Sequence, residues 1–520
     1  MRCSNPWLAS TKALRSALER LARADILFVE GHGAQANYRF KHALIQDAAY
    51  DSLLKIRRQA LHSRAAEIMC EGASPEPEAV AHHFTQAGLD DPAIEWWGNA
   101  GDQALRRSAF QEAIAHLGRA IAMADKGGGD ASEAAAIRRA KIQRNIGQAL
   151  LWSKGFAAEE TKIAFGQVVE ISGAAPTADE RFAAYYGQWA NSFITSELLG
   201  ARRIAEAFLK LAEDEKDEMA TAAARRHLAT TRLYQGGIDD ARKLLVAAVD
   251  TLDKADWRVS RPFELYERVA SVANLAFASW HYGDADNARS LIRRTLTDAA
   301  HHGDPPTLAY ARMFETMFEC RNDNATRTLA AADPLVGIGR QYGMSYYLSL
   351  GQVFASWAHG RLEGGAAAED MRRMLTSYLG AGNKCVAAWL HGLLAEIEAL
   401  ANGLNAALAA VDHGLAIAEE TGEHFSDSYL HRVRGDILLK VDPGNPARAE
   451  EAHLAAIAIG REQGARSFEL HAALSLAKLY QSTARLTEAH AVLAPALDGF
   501  SPTPELPEVD EAQALFRTLA

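Results

Sequence analysis

Few groups in this sequence could do chemistry, and their spacing settles most of them. Ser475-Leu-Ala-Lys478 has the spacing of a serine nucleophile with a lysine base, but no K-T-G run accompanies it. His82-His83 and His301-His302 are adjacent pairs. Neighbours on a helix point to different sides, so neither pair chelates a metal by itself. The four cysteines, Cys3, Cys70, Cys320 and Cys385, lie far apart and form no C-x-x-C, which argues against a zinc site and fits a reducing compartment. The sequence has no G-x-x-x-x-G-K-S/T phosphate loop, no H-E-x-x-H and no G-x-S-x-G. No carboxylate pair stands in a Gly-rich turn. These observations predict no catalytic residue, no cofactor and no metal. His42 remains: it follows Tyr38-Arg39-Phe40 and is expected in the first turn of a helix, where free N–H groups and partial positive charge suit phosphate. Its structural reading is a helix cap or a packing partner of Phe40.

Positioning any such group falls to a long, alanine-rich chain. At 520 residues it exceeds one compact core, so several domains or an extended repeat array are expected. Apolar residues are 48% and charged residues 23%, ordinary for a soluble globular protein. A net charge of −11 argues against a dedicated nucleic-acid binder. Basic pairs such as Arg106-Arg107, Arg202-Arg203, Arg293-Arg294 and Arg372-Arg373 read as solvated helix faces. No run approaches a membrane span, and MRCSNPWLASTKAL lacks the apolar core of a signal peptide. The expectation is a cytoplasmic protein with neither membrane nor nucleic acid as partner.

The element pattern is a helical repeat. In residues 95–124, Trp97, Ala100, Gly101 and Ala104 fit W-x2-L-G-x2-Y with alanines in place of Leu and Tyr, and Ala113, Leu117 and Ala120 fit A-x3-F-x2-A. This resembles the tetratricopeptide repeat, two antiparallel helices per unit. Small residues at Gly101 and Ala113 let the helices cross closely, while Trp97 and Leu117 fill the wider space. The second half recurs at Ala241, Ala288, Ala367, Ala407 and Ala489, with 40 residues between Ala367 and Ala407 and 82 between Ala407 and Ala489. The ordinary period is about 34, so these units are longer. Turn signals at Gly236-Gly237, Gly283-Asp284 and Asn402-Gly403 precede copies. Trp152, Trp189, Trp280, Trp357 and Trp389 fall in repeat helices, as packing groups or as anchors in a concave groove.

The expected architecture is all-α, a tetratricopeptide-like superhelix preceded by a partial winged-helix segment. Residues 1–70 form that segment: a helix over Thr11–Ala24, strands at Asp25–Glu30 and Asn37–Phe40 joined by the turn Gly31-His-Gly33, and one long helix from His42 to Cys70. Residues 71–505 hold roughly ten helical pairs. Lys126-Gly-Gly-Gly-Asp130 is a flexible joint, Asp442-Pro-Gly-Asn-Pro446 a turn inside a late repeat, and residues 506–520 a capping helix.

Over YRFKHALIQDAAYDSLLKIRRQALH (38–62), and again at AHHFTQAG (81–88), HFSDSYLHRVRG (424–435) and residues 467–500, the chain resembles bacterial signalling proteins built around a STAND-type ATPase. These are the multidomain class III adenylate/guanylate cyclases and the large ATP-binding transcriptional regulators. The resemblance implies a winged helix followed by a tetratricopeptide arm, coupled to a nucleotide switch. The cyclase and P-loop domains of that family are not in this sequence. The chain is therefore expected to be a non-catalytic scaffold or sensor arm that holds a protein, peptide or small effector, with an ATPase/cyclase module as a further partner. The alternative is the regulatory C-terminal part of a multidomain cyclase. The resemblance also implies that a winged-helix histidine touches nucleotide phosphates, and His42 is the candidate.

Overall fold

The structure is a computed structural model that describes residues 6–31, 37–72, 74–126, 132–172, 178–254 and 267–519. Within these residues the chain forms 25 helices and one two-stranded hairpin. His32 and Gly33 of the expected turn, residues 127–130 of the expected joint, and Cys3 lie outside the described residues. The chain divides into two compact units, residues 1–100 with 122–127, and residues 101–121 with 128–520.

In the first unit, α1 (Pro6–Arg23) leads to the antiparallel hairpin β1 (Leu27–Glu30) and β2 (Asn37–Phe40), with Leu27 opposite Phe40 and Glu30 opposite Asn37. The helix expected from His42 to Cys70 is broken. It forms α2 (Ala43–Asp51) and α3 (Lys55–Cys70), because Leu54 turns extended at ψ 144° and the Ser52 hydroxyl donates back to the Ala49 carbonyl. The break brings Tyr50 Oη within 3.0 Å of His62 Nε2 and pairs Arg58 with Asp51 at 3.2 Å. His42 is the N-cap of α2 rather than part of its first turn. Its backbone is extended and its side chain makes no capping hydrogen bond. Next comes α4 (Pro77–Ala87), which packs on α3 and buries Val80, Ala81 and Phe84. The pair α5 (Asp90–Arg106) and α6 (Phe110–Lys126) follows, of which residues 101–121 belong to the second unit.

The second unit is a run of helical pairs in which an A helix alternates with a B helix. They are α7 (Glu133–Lys154) and α8 (Glu159–Ser172), α9 (Ala178–Ile194) and α10 (Leu198–Asp214), α11 (Glu218–Tyr234) and α12 (Ile238–Lys254). Then come α13 (Glu267–His281) and α14 (Ala285–His302), α15 (Pro305–Arg321) and α16 (Ala325–Tyr342), α17 (Ser345–Leu362) and α18 (Ala368–Gly380). The last are α19 (Ala387–Leu400) and α20 (Leu404–Thr421), α21 (Asp427–Val441) and α22 (Ala447–Gln463), α23 (Arg466–Ser482) and α24 (Leu486–Leu497). A final helix, α25 (Glu508–Leu519), packs on α23 and α24. Each pair packs on the next, A helix on A helix, which makes this unit an all-α, tetratricopeptide-like helical-repeat solenoid.

Helices of four to five turns account for a period above the ordinary one: α19, α21 and α23 begin 40 and 39 residues apart. The turn signals read from the sequence are real bends, with positive φ at Gly236 (88°), Gly283 (98°) and Asn402 (59°). Gly422 and Gly464 end α20 and α22 in the left-handed region, at φ 72° and 69°.

The inner face of this unit is not an open groove. A helices five pairs apart touch across the superhelical turn. The Ile194 carbonyl at the end of α9 accepts from the Lys384 and Cys385 amides, both at 2.9 Å. The Tyr234 carbonyl at the end of α11 accepts from His424 at 2.9 Å and Phe425 at 3.1 Å. The Trp280 carbonyl on α13 accepts from the Ser467 hydroxyl of α23 at 2.6 Å. Trp152 of α7 stacks on Tyr347 of α17. Helix α13 is consequently buried on all sides: every residue from Val269 to His281 is buried. The five repeat tryptophans are packing groups, each 5% exposed or less.

Candidate functional site

Where α15, α17, α19, α21, α23 and α25 converge, the packing leaves a cavity of about 300 Å³. Its wall contains Arg321, the last residue of α15, which is 6% exposed. The guanidinium lies over the Trp389 ring at 3.8 Å from the centroid, with Phe468 at 4.9 Å, Phe425 at 5.1 Å, Phe277 at 5.5 Å, Trp280 at 5.8 Å and Tyr429 at 6.0 Å. Such rings attract a cation through their faces. They do not satisfy the N–H groups at its edge: Nε, Nη1 and Nη2 of Arg321 are all buried without an acceptor. Burial pushes the guanidinium down to about 9, so it stays charged at neutral pH.

Apart from the exposed Lys440, the remaining charges of the wall are matched within it. Arg361 pairs with Asp323. Arg432 pairs with Glu396 at 3.1 Å and with Asp436 at 2.7 Å. Lys478 pairs with Glu511 at 2.7 Å, and His471 lies 3.6 Å from Glu508. Burial, reinforced by the nearby Glu396, raises the Asp323 carboxyl to about 6. Burial opposes ionisation of Glu508, yet His471 holds it at about 2. Leu393, Val433, Ile437 and Leu474 supply apolar wall between these pairs. A second, smaller cavity of about 60 Å³ lies among the aromatic residues Phe156, Tyr186, Trp189, Tyr310 and Tyr346. There Arg226 is paired with Glu267 at 2.7 Å.

The structure brings none of the expected site residues together into a reactive group. Ser475 and Lys478 both line the larger cavity, on successive turns of α23, but Lys478 is engaged by Glu511. His302 is held by Asp304 at 2.9 Å. Among the described residues no group of three His, Cys, Asp or Glu is placed to hold a metal. His82 and His83 do have a partner the sequence did not reveal: His62 of α3, whose Nδ1 lies 2.8 Å from His83 Nδ1 and whose ring is 6.3 Å from that of His82. Burial and the neighbouring imidazoles hold His62 and His83 below the usual histidine range. The folded unit therefore favours their neutral forms. Stability is full above the ordinary histidine pKa and falls as the pH drops below about 6.5. Hydrogen-exchange protection factors, which remove the intrinsic slowing of exchange in acid, should fall at residues 77–87 on acidification from pH 7 to pH 5 more than at residues 466–482; an equal fall would show that the cluster is inert.

The repeat residues sit at helix crossings. Trp97 is 3% exposed and its Nε1 donates to Thr85 Oγ1 at 3.0 Å. Ala113, Leu117, Ala120, Ala241, Ala288, Ala407 and Ala489 are fully buried. A Cβ on Gly101 would lie 2.4 Å from Leu117 Cγ, and one on Gly435 would lie 2.6 Å from His453 Cε1. Gly101→Leu is expected to cost about 1–3 kcal/mol through overpacking; a thermal midpoint unchanged from the parent would contradict this.

No protein-family model matches the chain. It is 24% identical over 491 residues to an uncharacterized protein of Rhizobium meliloti (strain 1021), a match covering 90% of this chain. The chain spans 46% of the length of that relative. Among solved structures it is similar to the Cut9–Hcn1 hetero-tetramer of APC/C, at 11% identity over 92% of this chain and 94% of that chain, with a TM-score of 0.42. It is also similar to a monomeric IFIT1 mutant with m7Gppp-AAAA, at 14% identity, 90% and 96% coverage and a TM-score of 0.38. A Rap protein complexed with competence and sporulation factor aligns at 14% identity, 82% and 96% coverage and a TM-score of 0.33. Among the described residues no helix is long and apolar enough to cross a membrane.

The sequence reading missed Arg321, because a lone arginine closing a helix reads as an ordinary dipole partner. Its cage did leave a trace: Trp389, Tyr429 and Phe468 recur at the repeat spacing, one on each successive A helix.

Proposed function

We propose that this chain is a non-catalytic scaffold that binds a small effector or peptide and serves as the sensor arm of a cytoplasmic signalling system of the cyclase/ATPase type. The observation that carries the reading is the cavity of about 300 Å³ with a buried, unpaired guanidinium in its wall. A pocket of this size is at the small end of ligand sites. Its position gives a ligand leverage. The cavity is walled by five consecutive A helices, α15 to α23, and by α25, so a ligand there favours the winding that holds these helices together over an opened one. That difference in affinity is what a switch requires.

Residues 1–70 act in this reading as the coupling segment, 71–505 as the array and 506–520 as its cap. Of the 20 exposed large apolar residues among the described residues, 11 fall between Leu14 and Leu61 or at Ile68, including Leu44, Leu54 and Ile56 at 81–82% exposure. Such a concentration suits contact with a further module, here an ATPase or cyclase module rather than nucleic acid or membrane. His42, exposed beside Leu44, is the proposed nucleotide-sensing residue. His42→Ala should alter nucleotide exchange in an ATPase-plus-arm complex without changing the melting of residues 133–519.

The decisive experiment screens the full chain by thermal shift against metabolites and short peptides, and repeats every hit on Leu474→Trp, which fills the cavity. Hits abolished by Leu474→Trp support the reading; a panel with no such hit overturns it. The purified chain is expected neither to hydrolyse ATP nor to form cyclic AMP. A second reading, the regulatory part of a multidomain cyclase, is favoured by the relative's greater length. An in-frame P-loop and cyclase domain in the DNA preceding Met1 would decide for it.

A further inference from the structure

We infer that the larger cavity takes a monoanion bearing a single carboxylate on an apolar body, with the carboxylate received by the edge of Arg321. The inference rests on the ligand-binding reading of the same cavity.

The guanidinium of Arg321 lacks acceptors. Its faces are covered by rings, Trp389 closest at 3.8 Å. The N–H groups lie in the plane, along the edge, and Nε, Nη1 and Nη2 have no acceptor. Donors buried in this state are costly, and aromatic faces cannot accept from all of them. Packing therefore accounts for the cage but not for the unpaired edge. A planar oxyanion meets such an edge with two parallel, charge-assisted hydrogen bonds.

Among the described residues no carboxylate does so. Glu423 is the buried carboxyl of this region, but its Oε2 accepts from the Val386 amide at 3.0 Å and the Ser196 hydroxyl at 3.3 Å. Asp323, Glu396, Asp436, Glu508 and Glu511 are each engaged by Arg361, Arg432, His471 or Lys478.

The charge to be met fixes the class of ligand. Arg361, Arg432 and Lys478 are opposed by wall carboxylates and Lys440 is exposed, so the buried cation of the wall without a carboxylate partner is Arg321. A monoanion neutralises it. A phosphate dianion would leave excess negative charge facing five carboxylates in a poorly solvated space. The apolar wall at Leu393, Val433, Ile437 and Leu474, with the rings of Trp389 and Phe468, suits an aliphatic or aromatic body rather than a sugar. The volume holds a small acid or the last residues of a peptide. Both sources present the same carboxylate.

Calorimetric titration of the full chain at millimolar ligand tests this with matched pairs: phenylacetate against phenylacetamide, octanoate against octanamide, and N-acetyl-Leu-Phe as free acid against its C-terminal amide, with inorganic phosphate as a further arm. At least one acid should bind at least about tenfold more tightly than its amide, as loss of a charge-assisted pair requires. The arm that responds distinguishes a free acid from a peptide C-terminus. Arg321→Met should abolish the preference. Equal binding of acid and amide, preference for phosphate, no binding by any acid, or a preference that survives Arg321→Met would each overturn the inference. The acid–amide comparison on the unchanged protein decides even where Arg321→Met does not fold. A neutral ligand whose binding is lost in Leu474→Trp would sink this inference and leave the scaffold reading standing.

Discussion

Trp280→Ala should destabilise two stretches of chain that are 187 residues apart in sequence. Trp280 is 1% exposed, donates from Nε1 to Asn322 at 2.7 Å, and packs edge-on against Phe468 at 5.2 Å. Its carbonyl receives the Ser467 hydroxyl from one superhelical turn away. Truncating a buried tryptophan costs about 3–5 kcal/mol. In a simple solenoid each repeat feels only its neighbours, and such damage stays local. Here α13 lies against α23, so the void opens on both. Hydrogen exchange should rise at residues 267–281 and also at residues 466–482, while residues 198–214 change far less. Exchange that rises only around α13 and its sequence neighbours would show that the axial contacts carry no stability.

That coupling marks the limit of what the sequence made legible. The small-x3-large-x2-small pattern at Ala241, Ala288, Ala407 and Ala489 reports which side of a B helix meets its A helix, and each of these alanines is buried at such a crossing. Periodicity of this kind is local, so helices and their pairing could be read. The winding that sets A helices five pairs apart against each other depends on small rotations accumulated over many repeats. No single residue encodes it. That the repeat tryptophans are packing groups rather than groove anchors could not be read for this reason, and Arg321 went unnoticed for the same one. Its six aromatic neighbours come from α13, α19, α21, α23 and the loop before α21, and only the winding gathers them. The break after Asp51 was hidden differently. Ser52-Leu-Leu54 contains neither Gly nor Pro, and the turn is made by an extended Leu54.

Glu423→Gln should stabilise the second unit in alkaline solution and leave it nearly unchanged at pH 5. Glu423 is fully buried just after Gly422, in the loop that reaches across to Tyr234. One carboxyl oxygen accepts from the Val386 amide and the Ser196 hydroxyl, while Oε1 has no partner. Burial pushes this carboxyl up to about 8, against an ordinary value of 4.5, and the two hydrogen bonds to the ionised form do not offset it. The folded state thus keeps a proton that the unfolded chain releases. The stabilisation is fully present below pH 4.5 and declines as the pH rises through the window up to about 8, where the folded state also loses the proton. The decline is about 1.4 kcal/mol for each pH unit in that window. Glutamine keeps the shape and the accepting oxygen but carries no charge at any pH, so the variant lacks this decline. Denaturant midpoints of parent and variant, measured from pH 5 to pH 9, should diverge as the pH rises, with the variant more stable by several kcal/mol at the alkaline end. Other groups titrate over this range, but they do so equally in both proteins and cancel in the difference. Parallel profiles would mean that Glu423 is ionised in the fold at neutral pH, and the loop from 423 to 426 would then hold a buried carboxylate stabilised by more than the Val386 and Ser196 contacts.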